Sequence, residues 1–178
     1  MQDLISQIEP MIPALRRYAR ALLRSAELAD DLVQDCLERV VERWSQRQRA
    51  EDTRQWVFAI LHNLAIDSMR QQARRGVHLT IDDVAESEMA VPGRQEDGLH
   101  RQDLLRALES LPPDQRSVIL LVSVEDLSYV ETARMLDIPL GTVMSRLSRG
   151  RERLHKIMDG GSATPTRTTG APALRRLK

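Results

Sequence analysis

Residues 110–154 read SLPPDQRSVILLVSVEDLSYVETARMLDIPLGTVMSRLSRGRERL, and the punctuation of this stretch dictates a helical reading. Pro112-Pro113 interrupts one helical pattern, which resumes as DQRSVILLVSV over 114–124. Ser128 and Glu131 match the S-x-x-E capping box, in which a hydroxyl and a carboxylate satisfy each other's backbone amides at a helix start. That short helix runs through Leu136 and stops at Asp137-Ile138-Pro139; another begins at about Gly141 and reaches Met158. Two helices joined by the IPLGT turn form a helix-turn-helix pattern.

In the second of these helices Val143, Leu147, Gly150, Leu154 and Ile157 share one side, while Ser145, Ser148, Arg149, Glu152 and Lys156 face away from it. Met144 and Arg151 lie on one flank and Arg146 on the other. One packed side and one basic, hydroxyl-bearing side suit a helix seated in a major groove, where arginine pairs with guanine through two hydrogen bonds. A plain helical hairpin with a solvated basic face is the alternative, and the capping box and turn favour DNA reading over it. Gly150 on the packed side predicts a close helix–helix approach, at some loss of helix propensity.

Upstream, Leu15, Tyr18, Ala19, Leu22 and Leu23 recur at the spacing of an amphipathic helix. A second helix carries Val33, Cys36, Leu37, Val40, Val41 and Trp44 on its apolar side and Asp31, Asp35, Glu38 and Glu42 on one polar face. Those acids are either a solvated face or a docking surface for a basic partner. SQRQRAEDTR (45–54) breaks the pattern, and a third helix spans about Gln55 to Arg75, with Gly76 as its stop. There Trp56, Asn63, Asp67, Arg70 and Arg74 fall on a single stripe beside an apolar face of Val57, Ile60, Leu61 and Leu64. An indole to stack on an unpaired base, an amide to read a base edge and arginines to hold phosphates fit a nucleic acid. A core-edge tryptophan with a surface Asp67–Arg70 pair fits the same spacing.

Composition narrows the possibilities. The chain has 178 residues, 42% hydrophobic and 29% charged but only 3% aromatic, so its cores are built mainly from aliphatic side chains, which favours packed helices. Net charge is zero, yet residues 76–100 hold six acids and one arginine, whereas 140–158 hold five bases and one acid. Two helical blocks with basic stretches are thus joined by an acidic linker that contains Pro92, Gly93 and Gly98. The segment GGSATPTRTTGAPALRRLK (160–178) has the composition of a disordered tail. The single cysteine, Cys36, reads as a small core residue and excludes an intramolecular disulfide or a cysteine-based zinc cluster. No run approaches the roughly 20 apolar residues that span a bilayer. MQDLISQIEPMIPALRR lacks the order of a secretory signal, so a cytoplasmic location is expected. Phosphate-binding and metalloprotease motifs are missing, and His62, His78, His100 and His155 are scattered. Neither an enzyme nor a metal or other cofactor is expected.

Three stretches together, ADDLVQDCLERVVERW (29–44), RQWVFAILHNLAIDSMRQQARR (54–75) and the 110–154 run, resemble bacterial sigma factors of the extracytoplasmic-function (ECF) group. The resemblance implies an all-α chain of two small helical domains. Residues 1–76 would be sigma region 2, 77–100 a flexible acidic linker, 101–159 sigma region 4 with the helix-turn-helix, and 160–178 the tail. It further implies binding to core RNA polymerase through the β′ clamp helices and β flap, binding to promoter DNA, and an anti-sigma partner. Asp31, Leu32, Gln34 and Asp35, with Glu38 beside them, fall where the family docks on the clamp helices. Asn63 falls where family members capture a base flipped out of the −10 element, and Trp56, Asp67, Arg70, Arg74 and Arg75 match the surrounding melting segment. Met144, Ser145, Ser148 and Arg149 fall at −35 reading positions, with Thr142, Arg146 and Arg151 as phosphate or packing contacts. The chain departs from the family pattern at Met144, often basic there, and at Gly150, often alanine.

A linker of about 25 residues reaches roughly 80–90 Å, enough for two promoter elements roughly 50–70 Å apart. The mechanism implied is binding: region 4 holds duplex DNA while region 2 captures unstacked bases. Two rivals are a stand-alone helix-turn-helix regulator, which leaves the stripes of 29–44 and 54–75 without a purpose, and a sigma mimic that occupies an anti-sigma factor. The intact basic faces at Arg70, Arg74, Arg146 and Arg149 argue against the mimic.

Overall fold

The computed structural model describes residues 2–23, 25–46, 52–75 and 103–160, and the regular secondary structure among them is entirely helical. Helix α1 spans Gln2–Ile8 and turns through a 3-10 segment, Glu9–Met11, into α2, Ile12–Leu23. The sequence reading did not include α1, whose Leu4 and Ile8, four residues apart, are both buried. The whole predicted stripe of α2, from Leu15 to Leu23, is buried. Helix α3, Ala26–Arg43, starts at Ser25, whose hydroxyl accepts a hydrogen bond from the Leu28 amide at 3.3 Å. Helix α4, Thr53–Arg75, is started by Asp52, whose carboxylate accepts from the amides of Arg54 and Gln55. At 23 residues it is roughly 35 Å long.

The second block opens with α5 over 103–109. Pro112 is extended, as a residue before proline must be, and Pro113 begins α6, Pro113–Ser123, where its missing N–H is harmless. Helix α7, Tyr129–Leu136, carries both bonds of the predicted capping box: the Glu131 amide donates to Ser128 Oγ at 3.2 Å, and the Ser128 amide donates to Glu131 Oε2 at 2.7 Å. Asp137 closes it in the left-handed region at φ 51°, and α8 follows over Leu140–Gly160.

In the first block α2, α3 and α4 wrap Tyr18, Phe58, Leu15, Val33, Cys36 and Leu61, with the Tyr18 and Phe58 rings edge to face at 5.7 Å. In the second, α6, α7 and α8 enclose Leu111, Val118, Leu121, Val143 and Leu147. Gly150 is the close approach its position predicts. A Cβ there would stand 2.7 Å from Ile119 Cδ1 and 3.3 Å from Gln115 Cβ, so α8 lies on α6 at a distance only glycine allows without displacement.

Two expectations change. Val41, placed on the apolar side of α3, is 51% exposed, and Ile157, placed on the packed side of α8, is 42% exposed. Val41 stands beside the buried Val40 but about 100° around the helix from it, and on α8 the packed stripe fades at the half-buried Leu154. The two helical blocks, whose relative placement the sequence left open, pack against each other, and one hydrophobic cluster runs through both. Gly76, the linker of 77–100 and the tail beyond Gly160 lie outside the described residues.

Candidate nucleic-acid interface

The face of α3 opposite its buried Ala29, Val33, Cys36 and Val40 presents Asp31, Gln34, Asp35, Glu38 and Glu42 to solvent. The Gln34 amide donates to Glu38 at 3.3 Å. Leu32 differs from these: it is a buried residue at the floor of a shallow groove between α3 and α4. Asp35 lines that groove from α3, and Asp67, Arg70 and Arg74 line it from α4. The tertiary fold therefore joins two stripes that the sequence presents separately, one acidic and one mainly basic. Asp67 and Arg70 form an exposed pair at 3.5 Å, and Asn63, Arg74 and Arg75 are exposed. Trp56 is half-buried and meets Trp44 edge to face at 6.3 Å, so its ring is held by the core edge at the far end of the same stripe.

On α8 the division between packed and open faces is clear. Val143, Leu147 and Gly150 are buried, whereas Met144, Ser145, Ser148, Arg149 and Arg151 are exposed. Ser145 Oγ donates to the Thr142 carbonyl at 3.1 Å, and Arg151 donates to Ser123 Oγ at 3.4 Å. Thr142 and Arg146 are half-buried, and Arg146 pairs with Asp114 of α6 at 3.2 Å.

Between the blocks lies a polar cluster to which the sequence assigned no role. Glu125, in the turn after α6, has a side chain with no exposure. Arg17 of α2 reaches its Oε1 through Nη2 at 2.8 Å and Nε at 3.1 Å, and Arg54 of α4 reaches its Oε2 at 2.9 Å. Arg54 also lies over the Phe58 ring, 5.3 Å from its centre. Gln55 donates to Glu131 at 2.9 Å, and the buried Arg116 of α6 donates to the Leu22 carbonyl at the end of α2. Nearby, the Tyr18 hydroxyl and His62 Nδ1 are hydrogen-bonded at 2.9 Å. Burial, helped by the positive charge of Arg146, lowers the His62 pKa to about 4. Burial, with the Glu125 carboxylate nearby, pushes the Tyr18 hydroxyl up and keeps it neutral. The Cys36 thiol, donating to the Val57 carbonyl, is pushed up to about 12 by burial, as befits a core residue.

Among the described residues no group of three or more potential ligands could hold a metal ion, and no helix is long and apolar enough to cross a membrane.

Residues 101–154 match the family of Sigma-70, region 4, and residues 8–62 match the Sigma2 domain of PhyR. The ECF RNA polymerase sigma factor EcfG of Rhodopseudomonas palustris is 33% identical over 147 residues, covering 83% of this chain and 80% of the relative. This chain is an ECF sigma factor. Like other sigma factors it binds core RNA polymerase and directs promoter-specific initiation of transcription. The sigma factor RpoE of Bartonella quintana, solved in complex with the anti-sigma factor NepR, superimposes with a TM-score of 0.76 at 30% identity over 89% of this sigma factor and 98% of that chain. CnrH, solved with the cytosolic domain of CnrY, shares the fold with a TM-score of 0.68 at 21% identity, over 89% of each chain. The Sigma2 match ends at His62, so the stripe from Asn63 to Arg75 lies just beyond it on the same helix.

Proposed function

We propose that this sigma factor divides its task between residues 1–76 as region 2 and residues 101–159 as region 4, across a linker of 77–100. Asp31, Gln34, Asp35 and Glu38 dock on the polymerase clamp helices, with Leu32 beneath them as support. Asn63 captures a −10 base beside Trp56, while Asp67, Arg70, Arg74 and Arg75 follow the opened strand. Met144, Ser145, Ser148 and Arg149 read the −35 major groove, and Thr142, Arg146 and Arg151 contact phosphates or pack. The observation that carries this reading is the sidedness of α8, whose buried Val143, Leu147 and Gly150 leave Ser145, Ser148 and Arg149 together on the open face. The work is binding rather than catalysis, carried out in the cytoplasm where the polymerase is. An anti-sigma factor binds the chain and holds it in reserve, as a counterpart of the NepR found in complex with the Bartonella relative.

Co-elution of the full chain with core RNA polymerase, followed by titration, is the direct test. Asp35→Arg reverses a charge in the docking face and is expected to weaken association at least about tenfold, the equivalent of about 1.4 kcal/mol, without altering the circular dichroism. A folded wild-type chain that fails to co-elute would overturn the reading. Full affinity in the Asp35→Arg variant would remove α3 from the docking surface.

A further inference from the structure

We infer that Glu125 is a latch that holds the two helical units closed on each other, in an arrangement that cannot engage both promoter elements at once. The inference rests on the assignment of α4 and α8 as the two reading helices.

The first observation is the asymmetry of the cluster. Glu125 belongs to the second block and is wholly buried, whereas its partners Arg17 and Arg54 belong to the first and are 44% and 38% exposed. Both carboxylate oxygens are engaged, one by each arginine. A carboxylate enclosed without a cationic partner is strongly unfavourable, so Glu125 is accommodated only while α2 and α4 supply their guanidinium groups. Separation of the units lets water reach the carboxylate, so the latch releases without leaving a buried charge.

The second observation is distance. Gln55 of α4 touches Glu131 of α7 at 2.9 Å. Asn63 stands eight residues along α4 from Gln55, about 12 Å, and α8 begins nine residues after Glu131. Promoter elements one and a half to two turns apart are separated by roughly 50–70 Å. The closed arrangement therefore holds the −10 and −35 residues nearer one another than that separation. In addition, Arg146 is occupied by Asp114 and half-buried. Promoter engagement needs an open form that competes with the latch, and the affinity for any partner of the open form is reduced by the fraction that is closed.

The test is a distance measurement in the full chain, with spin labels on Glu27→Cys in α3 and Lys156→Cys in α8, both exposed and neither among the assigned docking or reading residues, Lys156 lying two turns beyond Arg149. The wild-type pair is expected to give one narrow distance. Glu125→Gln removes the charge, and Arg17→Gln with Arg54→Gln removes both partners at half-exposed positions where folding is undisturbed. Each is expected to broaden and lengthen the distribution, lowering the closed-to-open ratio about tenfold or more. A broad wild-type distribution, or a narrow one unchanged in the double arginine variant, would overturn the latch. Titration with core polymerase gives the functional readout: the opened variants should associate more tightly by the same factor, and equal affinity would overturn the inhibitory role. Loss of polymerase binding in every form would strike at the sigma assignment instead, because the distances are measured without polymerase.

Discussion

Arg149 and His62 show how differently two residues can matter. Arg149 stands exposed on α8, so removing its side chain disturbs no packing. Arg149→Ala is expected to cost about 1–3 kcal/mol of discrimination at a single −35 base pair, the range of one bidentate arginine–guanine contact. Transcription from promoter variants by the reconstituted holoenzyme checks it: selectivity should relax at one position while polymerase affinity stays unchanged. Unaltered selectivity would take Arg149 out of the reading set. His62 works from inside. Its pKa is lowered to about 4, against 6.5 for a free imidazole, so the unfolded chain binds a proton more readily than the folded one. The associated stability is complete above pH 6.5 and is lost progressively as pH falls towards 4. Linkage gives a loss of about 2 kcal/mol between pH 7.5 and pH 5. Denaturant unfolding at the two pH values should show it, and His62→Gln should flatten the dependence. A wild-type stability unchanged at pH 5 would mean that Tyr18 and Arg146 do not enclose the ring as described.

Helix ends carry the prediction at the level of the element. Helix α7 has only eight residues, too few to be stable on its own propensity, and its start depends on the reciprocal Ser128–Glu131 bonds. Ser128→Ala should destabilise the chain by about 1 kcal/mol, as loss of an N-cap does, read as a lowered melting temperature. Glu131→Ala should be the more damaging substitution, because the same carboxylate also receives Gln55 from α4 and so ties a cap to the contact between blocks. Equal losses would show that the Gln55 bond adds nothing. Hydrogen bonds to Glu131, from Ser128 above all, hold its carboxyl below the usual range, consistent with a carboxylate used as a cap acceptor. Helix α8 shows the limit of periodicity: its stripe is continuous in sequence from Val143 to Ile157, but α6 covers it only as far as the helix crossing allows.

For the whole molecule, the proposed latch gives the same helices two uses. The α2, α4, α6 and α7 contacts that bury Glu125 and Arg116 also bring the reading helices together. The proposed open form gives up this interface, and a linker of about 25 residues reaches far enough to permit it. The closed form of this chain needs no side chain other than its own to satisfy Glu125.

The helices, their caps and most of their buried faces were written locally, in apolar spacing, in Pro112-Pro113 and in the S-x-x-E box, because each depends on residues a few positions apart. The candidate reading residues followed for the same reason, since Ser145, Ser148 and Arg149 share a face by helical spacing alone. Helix α1 went unread because seven residues, followed closely by Pro10 and Pro13, carry too little periodicity. The groove that joins Asp35 to Arg70 and the cluster around Glu125 could not be read at all. Residues 17, 54 and 125 are 71 to 108 positions from their partners, and nothing in the local pattern selects one arginine over another. That choice belongs to the packing of two hydrophobic surfaces, which is non-directional until the whole fold brings particular charges out of water and leaves them only each other as partners.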